Sequence, residues 1–205
     1  MLGEAHLTDA AVESPGSAVV QSCDGVPARV NIPVDIAAGI PVDIAAAVVA
    51  RLRSLHLTVA VAESLTGGLL ASSLVDVAGS SAVFRGGVVA YHPDLKVSLL
   101  GVDADLISRC GVVNPDVASA MATGVAARLG CEVGVATTGV AGPGAADGVD
   151  QGRVYVAASV RRDGCSRVVV RELTVGGTRA IVRRSATYAA LALVGSLLAS
   201  AEVTR

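Results

Sequence analysis

Ser64 is the residue whose setting most suggests chemistry. It lies where the apolar run Thr58-Val59-Ala60-Val61-Ala62 gives way to Glu63-Ser64-Leu65-Thr66-Gly67-Gly68. A buried strand that turns sharply into a helix exposes a side chain at the carboxyl end of a sheet, where α/β proteins bind ligands. The amides of Leu65, Thr66, Gly67 and Gly68 at such a helix start can hold a phosphate or stabilise an oxyanion. The two glycines let a ligand approach the backbone. The same pattern also suits a plain N-cap at Ser64 or Thr66.

A serine hydroxyl attacks a carbonyl only once a base takes its proton. Of the three histidines, His6 lies near the N-terminus and His56 precedes the strand, which leaves His92, also readable as an exposed turn residue. The other candidate is Lys96. The chain has fifteen arginines and one lysine, so its need for positive charge is met elsewhere by arginine. Lysine can lose its proton when desolvated and arginine cannot, so a lone lysine fits a role closed to arginine. Tyr91, five residues before Lys96, could relay the proton or orient the amine. A third element, Thr137-Thr138-Gly139-Val140-Ala141-Gly142-Pro143-Gly144, ends a strand in a glycine-rich run that can deliver amides to an anion. It lacks the spacing of a dinucleotide fingerprint or a Walker loop. A fourth, Gly176-Gly177-Thr178-Arg179, places an arginine at a helix start, where it could clamp a phosphate or carboxylate.

These residues need elements to position them. Pro41, Ile44, Val48 and Leu52 predict a first helix, entered through the repeat Ile32–Ala38 and Ile40–Ala46. After the strand at 58–62, a helix is expected to about Val77 and a second strand from Gly86 to Tyr91. A short helix from Pro93 then carries Lys96. Helices at 103–110 and 115–129 follow, the latter capped by Asn114 before Pro115. Strands are expected at 132–137, 153–160 and 167–173, the last two joined by a hairpin at Arg162-Asp163-Gly164. A helix over about 178–200 closes the order. Helices interleaved with strands, then a hairpin, predict an α/β domain whose mixed sheet is covered on both faces.

Composition narrows the function classes. The 205 residues suffice for one domain, read as 32–205 behind a flexible tail at 1–31. A formal charge of −2 with no basic block argues against a nucleic-acid footprint. Cys23, Cys110, Cys131 and Cys165 match no zinc framework and read as reduced thiols. No metal or cofactor is expected. No uninterrupted apolar run reaches the roughly 18 residues of a membrane span. The start of the chain has no basic stretch followed by an apolar core, so a cytoplasmic location is expected. A dimer or larger assembly is expected for so small a valine-rich domain.

Taken together, the motifs resemble the CinA C-terminal domain family, whose stand-alone members are nicotinamide-nucleotide amidohydrolases. The matching segments are Ala62–Gly68, Gly79–Tyr91, Lys96, Thr138–Gly144 and Gly177–Arg179, in the family's order across about residues 42–200. The resemblance implies a three-layer α/β/α sandwich and conversion of nicotinamide mononucleotide to nicotinate mononucleotide and ammonia. It places the nucleophile on Ser64, the general base on Lys96 and the assisting tyrosine on Tyr91. Substrate contacts would fall on Thr66, Gly67, Gly68, Ser81, Phe84, Gly86, Gly87, Thr138, Gly139, Gly142 and Arg179. Leu65 stands where the family often has cysteine, and Asn114 where serine is usual. Val149-Asp150-Gln151-Gly152 replaces the family's Lys-Pro-Val-Gly. The chain is too short for the large N-terminal domain of longer CinA proteins, whose pyrophosphatase activity is therefore not expected. Rival readings are a nucleotide-binding or competence/DNA-repair partner protein without catalysis, and an amidase of another substrate.

Overall fold

The computed structural model describes residues 19–21, 42–162 and 164–200. The elements run β1 (Val19–Gln21), α1 (Val42–Leu55), β2 (Val59–Glu63), α2 (Leu69–Val75), a 3₁₀ turn (Ser80–Ala82), β3 (Phe84–Val89), α3 (Pro93–Leu100), α4 (Ala104–Cys110), α5 (Pro115–Leu129), β4 (Val133–Gly139), β5 (Arg153–Arg162), β6 (Cys165–Thr174) and α6 (Arg179–Ser200). The sheet order is β1-β6-β5-β4-β2-β3. Strands β3, β2 and β4 are parallel, while β5, β6 and β1 each run antiparallel to their neighbours. This is the expected mixed sheet between two helical layers.

Alternation along the strands sorts the layers. Val59, Val61, Val133, Val135, Val154 and Val156 face a core shared with α1, α2 and α6. Ala60, Ala62, Ala136 and Ala157 face the other core, under α5 and the end of α3. The alanines on the second face leave room for α5 to pack close to the sheet. Two glycines permit close backbone approaches, one between β4 and α5 and one between α5 and α3. A Cβ on Gly134 would fall onto the Ala122 carbonyl oxygen of α5, and one on Gly124 onto the Leu100 carbonyl oxygen of α3. The helix that carries Lys96 is thus seated on α5 through backbone contact.

The helix starts follow the sequence. Asn114 Oδ1 accepts the Asp116 amide at 2.8 Å, with Pro115 in the first turn. Helix α6 is long and apolar enough to cross a membrane by length and composition alone. Here Val182, Ala186, Ala189, Leu193, Val194 and Leu197 bury its apolar face in the first core.

Some boundaries differ from expectation. Strand β3 spans 84–89 rather than 86–91, and Val59↔Phe84 pairing precedes a register shift. Strands β5 and β6 continue past the apolar run to Arg162 and Cys165, because ladder pairing needs no apolar side chain. The hairpin tip, Asp163, lies outside the described residues, as do the first copy of the repeat and Pro41. So does the tail at 1–31, apart from β1, which pairs with Val168–Val170 of β6.

Candidate active site

Strand β2 is wholly buried, and the chain leaves it with the Ser64 amide still donating to the Thr137 carbonyl of β4 at 3.0 Å. The turn over 65–68 then brings the chain round to α2. Gly68 takes φ 98°, a conformation open to glycine at no steric cost. The carboxylate of Glu63, 1% exposed, occupies the start of α2. Its Oε2 accepts the amides of Gly68 (2.8 Å) and Leu70 (3.2 Å), and its Oε1 accepts that of Ala71 (2.8 Å). An anion at a helix N-terminus is favoured by the aligned peptide dipoles, so the carboxylate fills the place expected for a ligand. This corrects the expectation that all four amides of 65–68 point outward. The Gly68 amide goes to Glu63, and that of Gly67 to the Ser64 carbonyl at 3.2 Å. Those of Leu65 and Thr66 donate to no described residue.

Lys96 enters from the other helical layer. Its side chain is fully buried, and Nζ lies 3.2 Å from Ser64 Oγ, 2.7 Å from the Ala90 carbonyl oxygen and 3.4 Å from that of Tyr91. Burial lowers its pKa from 10.5 to about 8. The geometry serves both protonation states. An ammonium donates to all three oxygens. A neutral amine keeps its two N–H donors on the fixed carbonyls and turns its lone pair to the serine hydroxyl.

Tyr91 meets the lysine through its backbone carbonyl. Its phenol, on a residue 60% exposed, instead accepts from Arg179 Nη2 at 3.2 Å. Arg179 Nη1 donates to the Gly142 carbonyl at 2.7 Å. Tyr91, Gly142 and Arg179 thus form one rim beside the buried pair. Gln151 braces that rim: its Oε1 accepts the Gly144 amide (2.9 Å), and its Nε2 donates to the Gly177 carbonyl (2.8 Å). His92 caps α3 as an exposed turn residue, with Nδ1 2.6 Å from Asp94 Oδ1. That hydrogen bond holds the Asp94 carboxyl below its ordinary pKa.

Other expected contacts disperse. The Thr138 hydroxyl donates inward to the Val112 carbonyl (2.8 Å), and Gly139 ends β4 packed against Arg153 and Val154. Phe84 pairs with Val59 at the opposite end of β2 from Ser64, and Ser81 lies in the turn just before it. Gly86 and Gly87 pair with Ala60 and Val61 along the middle of β2. The structure does not bring Ser81, Phe84, Gly86 or Gly87 to Ser64 within one chain.

Three residues given no role by the sequence patterns help to build the site. Glu63 carries a signal of its own, a carboxylate that ends a run of buried residues. Thr137 Oγ1 pairs with Thr66 Oγ1 at 2.7 Å, both side chains buried. Arg183 donates through Nε to the Leu65 carbonyl (2.9 Å) and through Nη2 to that of Thr66 (2.6 Å). Its place one helical turn beyond Arg179 was the available clue.

Comparison with known proteins identifies the family and the fold. The model of the CinA C-terminal domain matches residues 42–198. A CinA-like protein of Frankia casuarinae is 41% identical over 172 residues, covering 84% of this chain. The chain spans only 39% of that relative's length, and about a third of several others. The crystal structure of the competence/damage inducible protein CihA from Agrobacterium tumefaciens superposes with a TM-score of 0.71 at 32% identity, covering 82% of this chain and 99% of that one. A CinA superfamily protein from Klebsiella pneumoniae gives 0.72 at 28% identity, covering 78% and 98%.

Proposed function

The chain belongs to the CinA C-terminal domain family, and from that premise we propose that it is a serine amidohydrolase acting on the carboxamide of a nicotinamide nucleotide. The supporting observation is the buried amine of Lys96 lying 3.2 Å from the Ser64 hydroxyl, with its pKa lowered by burial. At a pKa of about 8, about a tenth of the amine is neutral at pH 7. That fraction is a general base in hydrogen-bond reach of its proton.

In the proposed reaction Lys96 takes the Ser64 proton as Oγ bonds to the carboxamide carbon. The carbonyl oxygen becomes an oxyanion facing the amides of Leu65 and Thr66, in the manner of the amide that follows a nucleophile at a strand-to-helix turn. The C–N bond then breaks. Lys96 returns its proton to the leaving nitrogen, ammonia departs, and a nicotinoyl ester remains on Ser64. Water, deprotonated by Lys96, attacks the ester to release nicotinate mononucleotide and restore the hydroxyl. Arg179, held by Gly142 and Tyr91, stands at the rim to bind the nucleotide phosphate.

Purified protein with chelator present is expected to release one ammonia per nicotinamide mononucleotide consumed. Ser64→Ala is expected to abolish release while leaving nucleotide binding intact. Turnover unchanged by Ser64→Ala would refute the proposal. Equal turnover of the phosphate-free nucleoside would refute the role of Arg179.

A further inference from the structure

Arg183 touches the reacting segment from behind. It comes from α6, in the layer opposite α3 and Lys96, and its guanidinium grips two consecutive carbonyls, those of Leu65 and Thr66. The carbonyl of Leu65 and the amide of Thr66 belong to one peptide, which is trans. In a trans peptide the C=O and N–H point in opposite directions. A Leu65 carbonyl aimed at α6 therefore aims the Thr66 N–H away from α6, to the side from which Lys96 reaches Ser64. The next amide, that of Gly67, is already bonded to the Ser64 carbonyl. The Thr66–Thr137 hydroxyl pair fixes the same residue from its side chain.

We propose that Arg183 is a positioning residue that orients and polarises the Leu65–Thr66 peptide, making the Thr66 N–H the principal oxyanion donor. A cation on the carbonyl draws electron density out of the amide and strengthens its N–H as a donor. The donor is thus set in direction and strength before substrate arrives, which is the condition for transition-state stabilisation without reorganisation. The inference rests on the amidohydrolase reading, because an oxyanion forms only if the carboxamide is attacked.

Two readouts on Arg183→Met and Arg183→Lys test it: steady-state turnover of nicotinamide mononucleotide, and the ¹⁵N shift of the Thr66 amide in the ligand-free protein. Arg183→Met is expected to lower kcat by about 10- to 100-fold, less than the loss for deleting an oxyanion donor outright, with KM within about twofold. Its Thr66 resonance should move upfield as the carbonyl loses its cation. Arg183→Lys keeps one charged donor and should recover part of both effects. If Arg183→Met does not fold, Arg183→Lys carries the same comparison with wild type. Normal kcat, a loss expressed mainly in KM, or an unmoved Thr66 resonance would each overturn the proposal. If the wild-type protein releases no ammonia, the amidohydrolase reading fails separately, and the Thr66 resonance still decides whether Arg183 governs that peptide.

Discussion

Burying an amine is unfavourable, and Lys96, which has no carboxylate partner among the described residues, shows where the cost appears. Its folded pKa is about 8 against 10.5 when exposed. Below pH 8 both folded and unfolded chains hold the proton, and the folded state carries the full desolvation penalty. Between pH 8 and 10.5 the unfolded chain binds more protons, so stability rises with pH. The window corresponds to roughly 3 kcal/mol. Denaturant titrations of wild type and Lys96→Met across this range should therefore diverge, the gap moving in favour of wild type by about that amount. A gap that does not vary with pH would mean the lysine is not desolvated. The same pKa governs rate. Turnover should fall about tenfold per pH unit below 8, because only the neutral amine accepts the serine proton. Lys96→Arg, which cannot deprotonate, should be inactive throughout. Ser64 and Lys96 were legible from sequence because their types were informative in place: a serine at a strand end and a solitary lysine. The phenol of Tyr91 was not, since nothing local shows that it would face Arg179 in place of the amine.

At the scale of elements, the site depends on how three segments are tied. Glu63 caps α2, its buried carboxylate accepting hydrogen bonds from three backbone amides. Glu63→Ala would leave those donors unsatisfied, at about 1–3 kcal/mol each when buried. The turn bearing Ser64 should lose both stability and turnover; Glu63→Gln, which can still accept, should retain part of both. Helix α3 is seated on α5 at Gly124. Gly124→Ala should destabilise by about 1–3 kcal/mol through overpacking and lower turnover by shifting Lys96, as seen in urea unfolding and steady-state rates. Gln151 ties the 142–144 loop to Gly177, so Gln151→Ala should weaken nucleotide binding while sparing the serine–lysine pair. Isothermal titration with the Ser64→Ala protein would register that loss, and unchanged affinity would show the brace to be dispensable. The helices and strands themselves were legible, because caps such as Asn114 and apolar alternation are local. Glu63, Arg183 and Gln151 were not. Arg183 acts on partners 117 and 118 residues away, and Gln151 links one 7 residues away to another 26 residues away. Glu63 acts nearby but only once the turn has formed.

For the whole molecule, the sheet brings side chains from two differently packed faces to one candidate site. The alanine face admits α5 and α3 closely and delivers Lys96; the valine face holds α6 and delivers Arg179 and Arg183. Both meet at the carboxyl end of β2. The α/β class was readable from the order of elements, but the face each helix would take was not. That choice depends on backbone contacts at Gly124 and Gly134 that no periodicity reveals. The chain spans about two fifths of its Frankia relative, and the proposed chemistry belongs to this portion alone. The proposed chemistry turns on one amine, and the composition makes that amine observable in isolation. With lysine labelled at ¹⁵Nζ, the protein should give a single side-chain resonance, from Lys96. Titrated by NMR, that signal is predicted to change protonation state near pH 8. A midpoint near the ordinary 10.5 would contradict the account.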